Sequence, residues 1–241
     1  MAPAGYGDRV EGVHAVTAAL AADRVEKLYV DRSRLGREGI ASIMEAAGGL
    51  ASVVDDVRPI AQTDSPQGVV ADCRPITPVT LESLTSGTPS LLVLDHVEDP
   101  HNVGAIARSA LAAGCSGLVV SDRRAAPLSA VAFKAAAGAL ETIPVAVVGS
   151  IPEALRRLQK HDVWIVGLDS AGDQSLFGLE LLTEPVAVVV GSEGSGLSRL
   201  AGELCDVVVS IPMPGQIESL NASVSAALAA FEIMRIRSAP G

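Results

Sequence analysis

The chain has 241 residues, a net charge of −10, and a composition that is 49% hydrophobic but only 2% aromatic. This length allows one large or two small domains, whose cores must be built from Ala, Val, Leu and Ile. The shortage of aromatic rings argues against an RNA-recognition sheet that stacks bases on Phe, Tyr or Trp. The acidic balance, taken alone, argues against nucleic acid as a partner.

The amino-terminal third of the chain alternates between helix and strand patterns. Apolar residues at helical spacing predict one helix over Val13–Leu20 and a second over Ile40–Ala47, which two glycines end. Runs of β-forming residues predict three strands, at Lys27–Val30, Ala51–Val54 and Gly68–Ala71. We therefore predict a small α/β domain at residues 1–73.

A cluster of arginines stands out in this domain because the chain is acidic overall. The cluster consists of Arg24, Arg32, Arg34 and Arg37. Such a group can present a positive face to phosphates, but it can equally be an ordinary solvated face. Both interpretations stay open on these residues alone.

The segment at residues 74–89 is rich in proline, serine and threonine. This composition predicts a linker between the first domain and a second domain at residues 90–241. The alternative is an ordered excursion within one domain.

The cysteines of the chain, Cys73, Cys115 and Cys205, form no Cys-x-x-Cys pair, which predicts a reducing compartment and no structural zinc.

The second domain consists of continuous apolar runs separated by helical patterns. The runs predict strands that are buried on both faces, as in a parallel sheet, at Ser90–Asp95, Gly117–Ser121, Pro144–Val148, Val163–Leu168, Val186–Gly191 and Val207–Ile211. The helices are predicted at Val103–Ala113, Ala130–Ala139, Ile151–Gln159, Leu197–Leu204 and Leu220–Met234. Alternation of this kind predicts the α/β class with a mostly parallel sheet.

Three polar segments follow strands of this sheet, where open α/β folds bind ligands. In the first, Asn102 is predicted to cap a helix from which Arg108 projects about one and a half turns later. In the second, Glu193 lies in a glycine-rich turn before a helix, where it can also be an ordinary helix-dipole acid. The third, Ile211–Ser225, leads from a strand through a proline-rich loop into the last helix.

The chain lacks the glycine motifs of phosphate-binding loops and of ordinary dinucleotide enzymes.

These segments resemble the three motifs of the SpoU family, also called the TrmH family, which are RNA ribose 2′-O-methyltransferases of the SPOUT superfamily. The matching residues are Asn102-x-Gly104-x-x-x-Arg108, Gly191-x-Glu193-x-x-Gly196-Leu197-Ser198 and Ile211-Pro212-Met213 with Ser219-Leu220-Asn221-x-Ser223-Val224-Ser225. Residues 137–141 are similar to the family's small-residue segment between the first two motifs. Residues 12–16 and 67–71 resemble the substrate-binding domain that many members carry before the methyltransferase domain.

The resemblance implies a sheet whose C-terminal segment is threaded into a trefoil knot, with S-adenosylmethionine bound by the knot's loops. It assigns the cofactor contacts to Gly191, Ile211, Met213 and Leu220. It also implies a homodimer with the active site at the interface. We expect a soluble cytoplasmic protein, with neither a membrane nor DNA as a partner.

The resemblance assigns the chemistry to Asn102, Arg108, Glu193, Ser219 and Asn221. A ribose 2′-oxygen would attack the methyl of the sulfonium in line, so no metal is required. Because a guanidinium is effectively always protonated, we expect Arg108 to clamp the phosphate and stabilise the developing alkoxide. The amides and Ser219 would orient the ribose, and Glu193 would hold Arg108 or relay the proton.

The substrate is predicted from the resemblance rather than from any one residue. A separate first domain without long basic tails resembles the ribosomal-RNA branch, so we predict a guanosine ribose in large-subunit ribosomal RNA. Transfer RNA is the alternative substrate. A non-catalytic RNA-binding protein with the same fold, or a small-molecule α/β enzyme, remains an alternative function at this point.

Overall fold

The computed structural model describes residues 5–123, 128–215 and 219–238. The first of its two sheets has four strands: β1 (Arg9–Glu11), β2 (Val25–Asp31), β3 (Ala51–Val54) and β4 (Val69–Cys73). They lie in the order β1-β4-β2-β3, and β4 is antiparallel to both of its neighbours. Two helices accompany this sheet, α1 (Val13–Ala21) and α2 (Glu38–Ala47). All the predicted elements are confirmed, and only β1, with three residues, was too short to predict.

Two segments that are distant in the sequence meet at the start of α1. Gly12 precedes the helix with φ 88°, and its N–H donates to the Val69 carbonyl at 3.3 Å. The Gln67 side chain accepts from the N–H of Val13 at 3.0 Å, and so caps a helix whose own N-cap residue has no side chain. The segments that resemble the substrate-binding domain therefore form one local structure.

The second sheet has seven strands, and every pairing within it is parallel. The strands are β5 (Ser90–Leu94), β6 (Gly117–Ser121), β7 (Val145–Val148), β8 (Trp164–Leu168), β9 (Gln174–Ser175), β10 (Val186–Val190) and β11 (Val207–Ser210). Their order is β7-β6-β5-β10-β8-β11-β9, and the central strands β5 and β10 are buried at every residue. The prediction from continuous apolar runs is confirmed, whereas the two-residue β9 was missed.

Five helices accompany this sheet: α3 (Pro100–Ala112), α4 (Ala130–Ala136), α5 (Ile151–Gln159), α6 (Arg199–Glu203) and α7 (Ala222–Ser238). The last helix packs on α3 and on the central strands through small side chains, including Ala226, Ala229 and Ala230. Because these side chains are small, the helix backbones can approach closely. None of the helices in the described parts of the chain is long and apolar enough to cross a membrane.

The two sheets are joined through α4 and through the segment that was predicted as a linker. Phe133 of α4 is fully buried and lies against Tyr6, with ring centroids 6.1 Å apart. The segment at residues 74–89 is ordered, since Val79 pairs with Ala146 and both Leu81 and Leu84 are buried against the second sheet. The division of the chain into domains at residues 73 and 90 stays a prediction.

Arg24 does not belong to a surface face with the other three arginines of the cluster. Its guanidinium is paired with Glu141 at 2.6 Å, and the two side chains are only 11% and 3% exposed. It also donates to the carbonyl of Gly7. A side chain that is buried and paired in this way cannot contact RNA, so the cluster at the surface is restricted to the exposed Arg32 and Arg37 and the half-buried Arg34.

The three cysteines are packing residues. Cys73 and Cys115 are buried and Cys205 is half-buried. Burial raises the pKa of Cys73 and of Cys205 to about 12, and that of Cys115 to about 11. Because the nucleophilic form of cysteine is the thiolate, none of them is poised for catalysis at neutral pH.

Candidate active site

Three loops meet at the carboxyl ends of the second sheet and bring three predicted residues into contact. The Nδ2 group of Asn102 donates to Glu193 Oε1 at 2.9 Å. The Nδ2 group of Asn221 donates to the same oxygen and, at 3.1 Å, to Asn102 Oδ1. We call Asn102, Glu193 and Asn221 the amide–carboxylate cluster. It joins the start of α3, the loop after β10 and the start of α7.

Asn102 occupies a position different from the predicted one. The cap of α3 is Asp99, which accepts from the N–H of His101 at 2.8 Å, and Pro100 begins the helix. Proline is favoured at the first helical position, so the cap is the residue directly before Pro100, which is Asp99. The prediction that Asn102 caps the helix is therefore wrong, and its buried side chain is left to join the cluster.

The loop that carries Glu193 has a tightly packed base. Ser192 and Gly196 exchange two backbone hydrogen bonds of 3.1 Å. Gly191 lies so close to this turn that a Cβ atom there would come within 2.2 Å of the Gly196 carbonyl carbon. The loop then ends at Ser198, whose hydroxyl caps α6. Gly191 therefore serves close backbone packing.

Sequence reasoning missed a pair of residues at the end of β5. Asp95 is fully buried, and its two carboxylate oxygens accept from different partners. Oδ2 accepts from the N–H of Ser198 at 2.7 Å, and Oδ1 lies 2.7 Å from Nδ1 of His96. A carboxylate directly after a fully buried strand was the available signal. We call these two residues the Asp95–His96 pair.

A first cleft, of about 680 Å³, contains all four predicted cofactor residues: Gly191, Ile211, Met213 and Leu220. Ser219 and Glu193 also line it. Its other lining residues come from the ends of β8 and β10 and from α7, and include Leu168, Asp169, Val190 and Ala222. A cleft that combines apolar side chains with a few polar groups suits a small-molecule ligand.

A second cleft, of about 1050 Å³, adjoins the first and shares Ser192, Glu193, Gly196 and Ala222 with it. His96 and Asn102 line this second cleft, as do Ser195 and Ser198. Glu193 therefore stands at the border of two spaces. The second of these spaces is lined by hydroxyl, amide, imidazole and carboxylate groups.

Arg108 lies apart from the other predicted residues. It is exposed on α3, lines neither cleft, and has no hydrogen bond or ion pair within the described ranges. Arg108 follows Asn102 by six positions, which is about one and two-thirds helical turns, so the two side chains leave α3 on different sides. The structure thus brings together all the predicted site residues except Arg108.

Two family models match the chain. The model of the SpoU rRNA Methylase family matches residues 89–231. The chain belongs to this family. A second model, described as RNA 2′-O ribose methyltransferase substrate binding, matches residues 9–79 of this SpoU family member. The resemblance inferred from the three motifs is confirmed.

Relatives of this SpoU family member match almost its whole length. The 23S rRNA (guanosine-2′-O-)-methyltransferase RlmB of Ralstonia nicotianae is 40% identical, over 94% of this chain and 95% of the relative. The SpoU methyltransferase AviRb from Streptomyces viridochromogenes, solved in complex with AdoMet, has a TM-score of 0.78 at 28% identity, covering 95% and 90% of the two chains. An AdoMet-bound rRNA methyltransferase from Sinorhizobium meliloti has a TM-score of 0.76 at 28% identity, covering 94% and 86%.

Proposed function

We propose that this SpoU family member is an S-adenosylmethionine-dependent RNA ribose 2′-O-methyltransferase that acts on a guanosine of large-subunit ribosomal RNA. The observation that carries the proposal is the position of Glu193 at the border of the two clefts, tied to Asn102 and Asn221. The relative from Ralstonia nicotianae supports the substrate, since its name specifies guanosine of 23S rRNA.

The first cleft fits the cofactor. Ile211, Met213 and Leu220 offer apolar surface for adenine, and Gly191 lines the same cleft. When bound, S-adenosylmethionine supplies a methyl group on a sulfonium, which is already an activated donor. The AdoMet complex of AviRb supports this assignment.

The second cleft is the proposed place of the ribose. Its polar lining includes Asn102 and Ser195, which can donate and accept hydrogen bonds to sugar hydroxyls. Glu193 Oε1 is held by two amides, so this side chain is oriented before any ligand arrives. Asn221 is fixed in turn, because its Oδ1 accepts from the N–H and the hydroxyl of Ser223. Fixed groups of this kind align the reacting oxygen with little reorganisation.

Arg108 is proposed as the phosphate clamp. Its exposed guanidinium is free of described partners, and a guanidinium matches phosphate oxygens with two parallel hydrogen bonds. It cannot accept the proton of the ribose hydroxyl because it has no lone pair to offer at neutral pH. Its position outside both clefts suits a contact with the RNA backbone, and Ser219 is left to line the cofactor side.

A homodimer is proposed through the exposed apolar face of α7 and α3. Val224, Phe231 and Met234 of α7 are exposed, as is Leu111 of α3. Val224 and Phe231 are seven residues apart, so they share one face of the helix. We expect light scattering to give twice the monomer mass for the wild type and the monomer mass for Phe231→Glu. A monomeric wild type would exclude a shared active site.

The trefoil knot of the family is proposed for the segment between β11 and α7. The path of the chain supports this proposal. The chain leaves β11 near one side of the sheet and returns as α7, which packs against the central strands β5 and β10. A crystal structure with continuous density from Val207 to Ala222 tests this. The knot requires that this segment pass through the loop formed by the preceding chain, and a path that stays outside that loop would contradict it.

Mapping of 2′-O-methyl groups in RNA from cells with and without this protein tests the proposed function. We expect the loss of one mark on a guanosine of large-subunit ribosomal RNA. A mark lost only from transfer RNA would replace the substrate and keep the chemistry. If no RNA mark changed and the purified protein methylated no RNA, the chain would not be a methyltransferase.

A further inference from the structure

The Asp95–His96 pair has the arrangement that prepares an imidazole to accept a proton. A carboxylate oxygen of Asp95 lies 2.7 Å from His96 Nδ1, and its other oxygen accepts from the N–H of Ser198. An ionised carboxylate can only accept, so this contact favours the tautomer in which Nδ1 carries the hydrogen that points at Oδ1. The lone pair of the neutral imidazole then resides on Nε2.

The remaining nitrogen is available to a ligand. His96 lines the second cleft, and 39% of its side chain is exposed, whereas the Asp95 side chain is fully buried. Among the described residues no group pairs with Nε2. A buried carboxylate that orients an imidazole toward an open space is the same device that aligns the base in hydrolases with a catalytic triad.

Two other groups of the site are less suited to accept the proton. Glu193 Oε1 accepts from two amide groups, and Arg108 is permanently protonated. His96 is the only imidazole among the residues that line the two clefts in the described parts of the chain. The carboxylates of Glu98, Asp99 and Glu193 line the same cleft.

The backbone supplies a further observation. His96 has φ 59°, in the left-handed region that costs a non-glycine residue of this kind about 1 kcal/mol or more. Glycine and asparagine adopt this conformation more readily than histidine. A histidine held there by a buried partner is consistent with a role for the side chain itself.

We propose that His96 Nε2 is the proton acceptor of the methyl transfer, with Asp95 as its positioning residue. The inference rests on the proposed function. The ribose 2′-oxygen forms a bond to the methyl carbon while the bond from that carbon to sulfur breaks, and its electron pair stays on sulfur. The hydroxyl proton moves to Nε2, and Asp95 stabilises the resulting imidazolium until water takes the proton.

Two variants test this role without straining the backbone. His96→Gly and His96→Asn both suit the left-handed conformation, and neither can act as a base. We expect the single-turnover rate with ribosomal RNA to fall by about 10²–10⁴-fold, with less than a threefold change in the affinity for S-adenosylmethionine. Added imidazole should restore part of the rate in His96→Gly, because the second cleft is open enough to admit it. A residue with a purely structural role would show no such rescue.

His101→Asn is the matched control, since His101 is exposed on α3 and lines neither cleft. Its rate should equal that of the wild type. If wild type and His96→Gly turned over equally, or if the slow variant gained nothing from imidazole, the inference would be wrong while the proposed function stood. If the wild type itself transferred no methyl to RNA, the proposed function would fail instead.

Discussion

Two polar clusters in this molecule are built from similar groups and have opposite surroundings. The Arg24–Glu141 pair is buried, and the guanidinium also donates to two backbone carbonyls, those of Gly7 and Arg74. The amide–carboxylate cluster lies at the border of two clefts, and its Glu193 and Asn221 are exposed. The hydrogen-bonding groups of the Arg24–Glu141 pair are engaged within the fold, so this pair cannot bind a ligand and instead holds the two sheets together. The amide–carboxylate cluster keeps the ability to bind a ligand.

The surroundings of Arg24 show why the buried pair is structural. Burial opposes the charge, but the hydrogen bond and charge of Glu141 outweigh it and raise the pKa of the Arg24 guanidinium. The guanidinium carbon also lies 5.8 Å from the Phe133 ring centroid, within the range of a cation–π contact. Every part of this side chain therefore has a partner within the fold.

The largest expected effect is on stability, from Glu141→Ala. Removal of one partner leaves the Arg24 charge buried and uncompensated, which costs about 3–5 kcal/mol. Urea unfolding measures this loss. Glu82→Ala breaks the exposed pair with Arg157, whose side chains are 44% and 40% exposed, and should cost about 1 kcal/mol or less. Equal losses in the two variants would remove the distinction between a buried and an exposed pair.

Glu193→Gln should have the opposite profile, with a large loss of activity and little loss of stability. The amide cannot supply the negative charge at the border of the clefts, so we expect turnover to fall about 10²-fold and stability to change by about 0.5 kcal/mol or less. Glu180→Gln, an exposed change outside both clefts, is the control. Unchanged turnover in Glu193→Gln would remove this carboxylate from the mechanism.

Gly191→Ala tests whether close packing of the loop shapes the first cleft. The added methyl would meet backbone atoms of Gly196 and Leu197 at 2.2–2.5 Å, which forces the loop away from β10. Overpacking of this kind costs about 1–3 kcal/mol, and we expect a roughly tenfold weaker affinity for S-adenosylmethionine in calorimetry. At Gly202 a Cβ would meet nothing within 4 Å, so Gly202→Ala should bind normally. Equal affinities in the two variants would show that this packing does not shape the cleft.

Glu232 is another buried carboxylate, and its contribution to stability should depend on pH. The hydrogen bond from Arg235 holds the pKa of Glu232 below its ordinary value of 4.5, and the N–H of Gly178 also donates to it, at 2.7 Å. A depressed pKa stabilises the fold above the unfolded value, and this contribution is lost as the pH falls through the folded value. Glu232→Gln should therefore cost about 1 kcal/mol at neutral pH.

The difference in the free energy of unfolding between wild type and Glu232→Gln should become smaller when unfolding is measured at pH values below 4.5. Glu45→Gln, on the exposed face of α2, provides the control and should show no such convergence. A gap for Glu232→Gln that stayed constant down to the acid transition would show that the ionised carboxylate does not stabilise the fold.

The smallest expected effect concerns the arginines that remain at the surface. Arg32 pairs with Asp55 at 3.1 Å, and Arg34 shares a cleft of about 770 Å³ with four aspartates, so both are partly neutralised. We expect a smaller dependence of RNA affinity on salt when Arg32, Arg34 and Arg37 are replaced by alanine. The slope of the logarithm of the affinity against the logarithm of the salt concentration should fall by about one for each phosphate that an arginine no longer neutralises. Arg156→Ala, on α5, should leave the slope unchanged. An unchanged slope in the triple variant would place the RNA elsewhere.

The two clusters also mark the limit of what the sequence could predict. Continuous apolar runs located the six longer strands of the second sheet because burial on both faces leaves a local pattern. The three motif segments stood out because each follows a strand, and the resemblance to the SpoU family then identified the site residues within them. No local pattern could show that Arg24 meets Glu141, 117 residues away, or that Asn102 and Glu193, 91 residues apart, share a hydrogen bond.

Local competition explains the remaining errors. Asn102 and Asp99 are both good helix caps, and Pro100 decided between them by fixing where the helix begins. The Asp95–His96 pair was missed because its partners depend on a left-handed turn at His96 and on a loop about one hundred residues further on. Contacts between loops are set by the order of the strands in the sheet, which the sequence does not display.

The most direct test of the proposed function is methyl transfer by the purified protein to large-subunit ribosomal RNA that lacks modifications. Labelled S-adenosylmethionine is the donor, and mass spectrometry locates the product. We predict one methyl group on the 2′-oxygen of a guanosine, with the rate lost in Glu193→Gln and kept in Glu180→Gln. Methyl transfer to a base, or cofactor binding without transfer to any RNA, would contradict it.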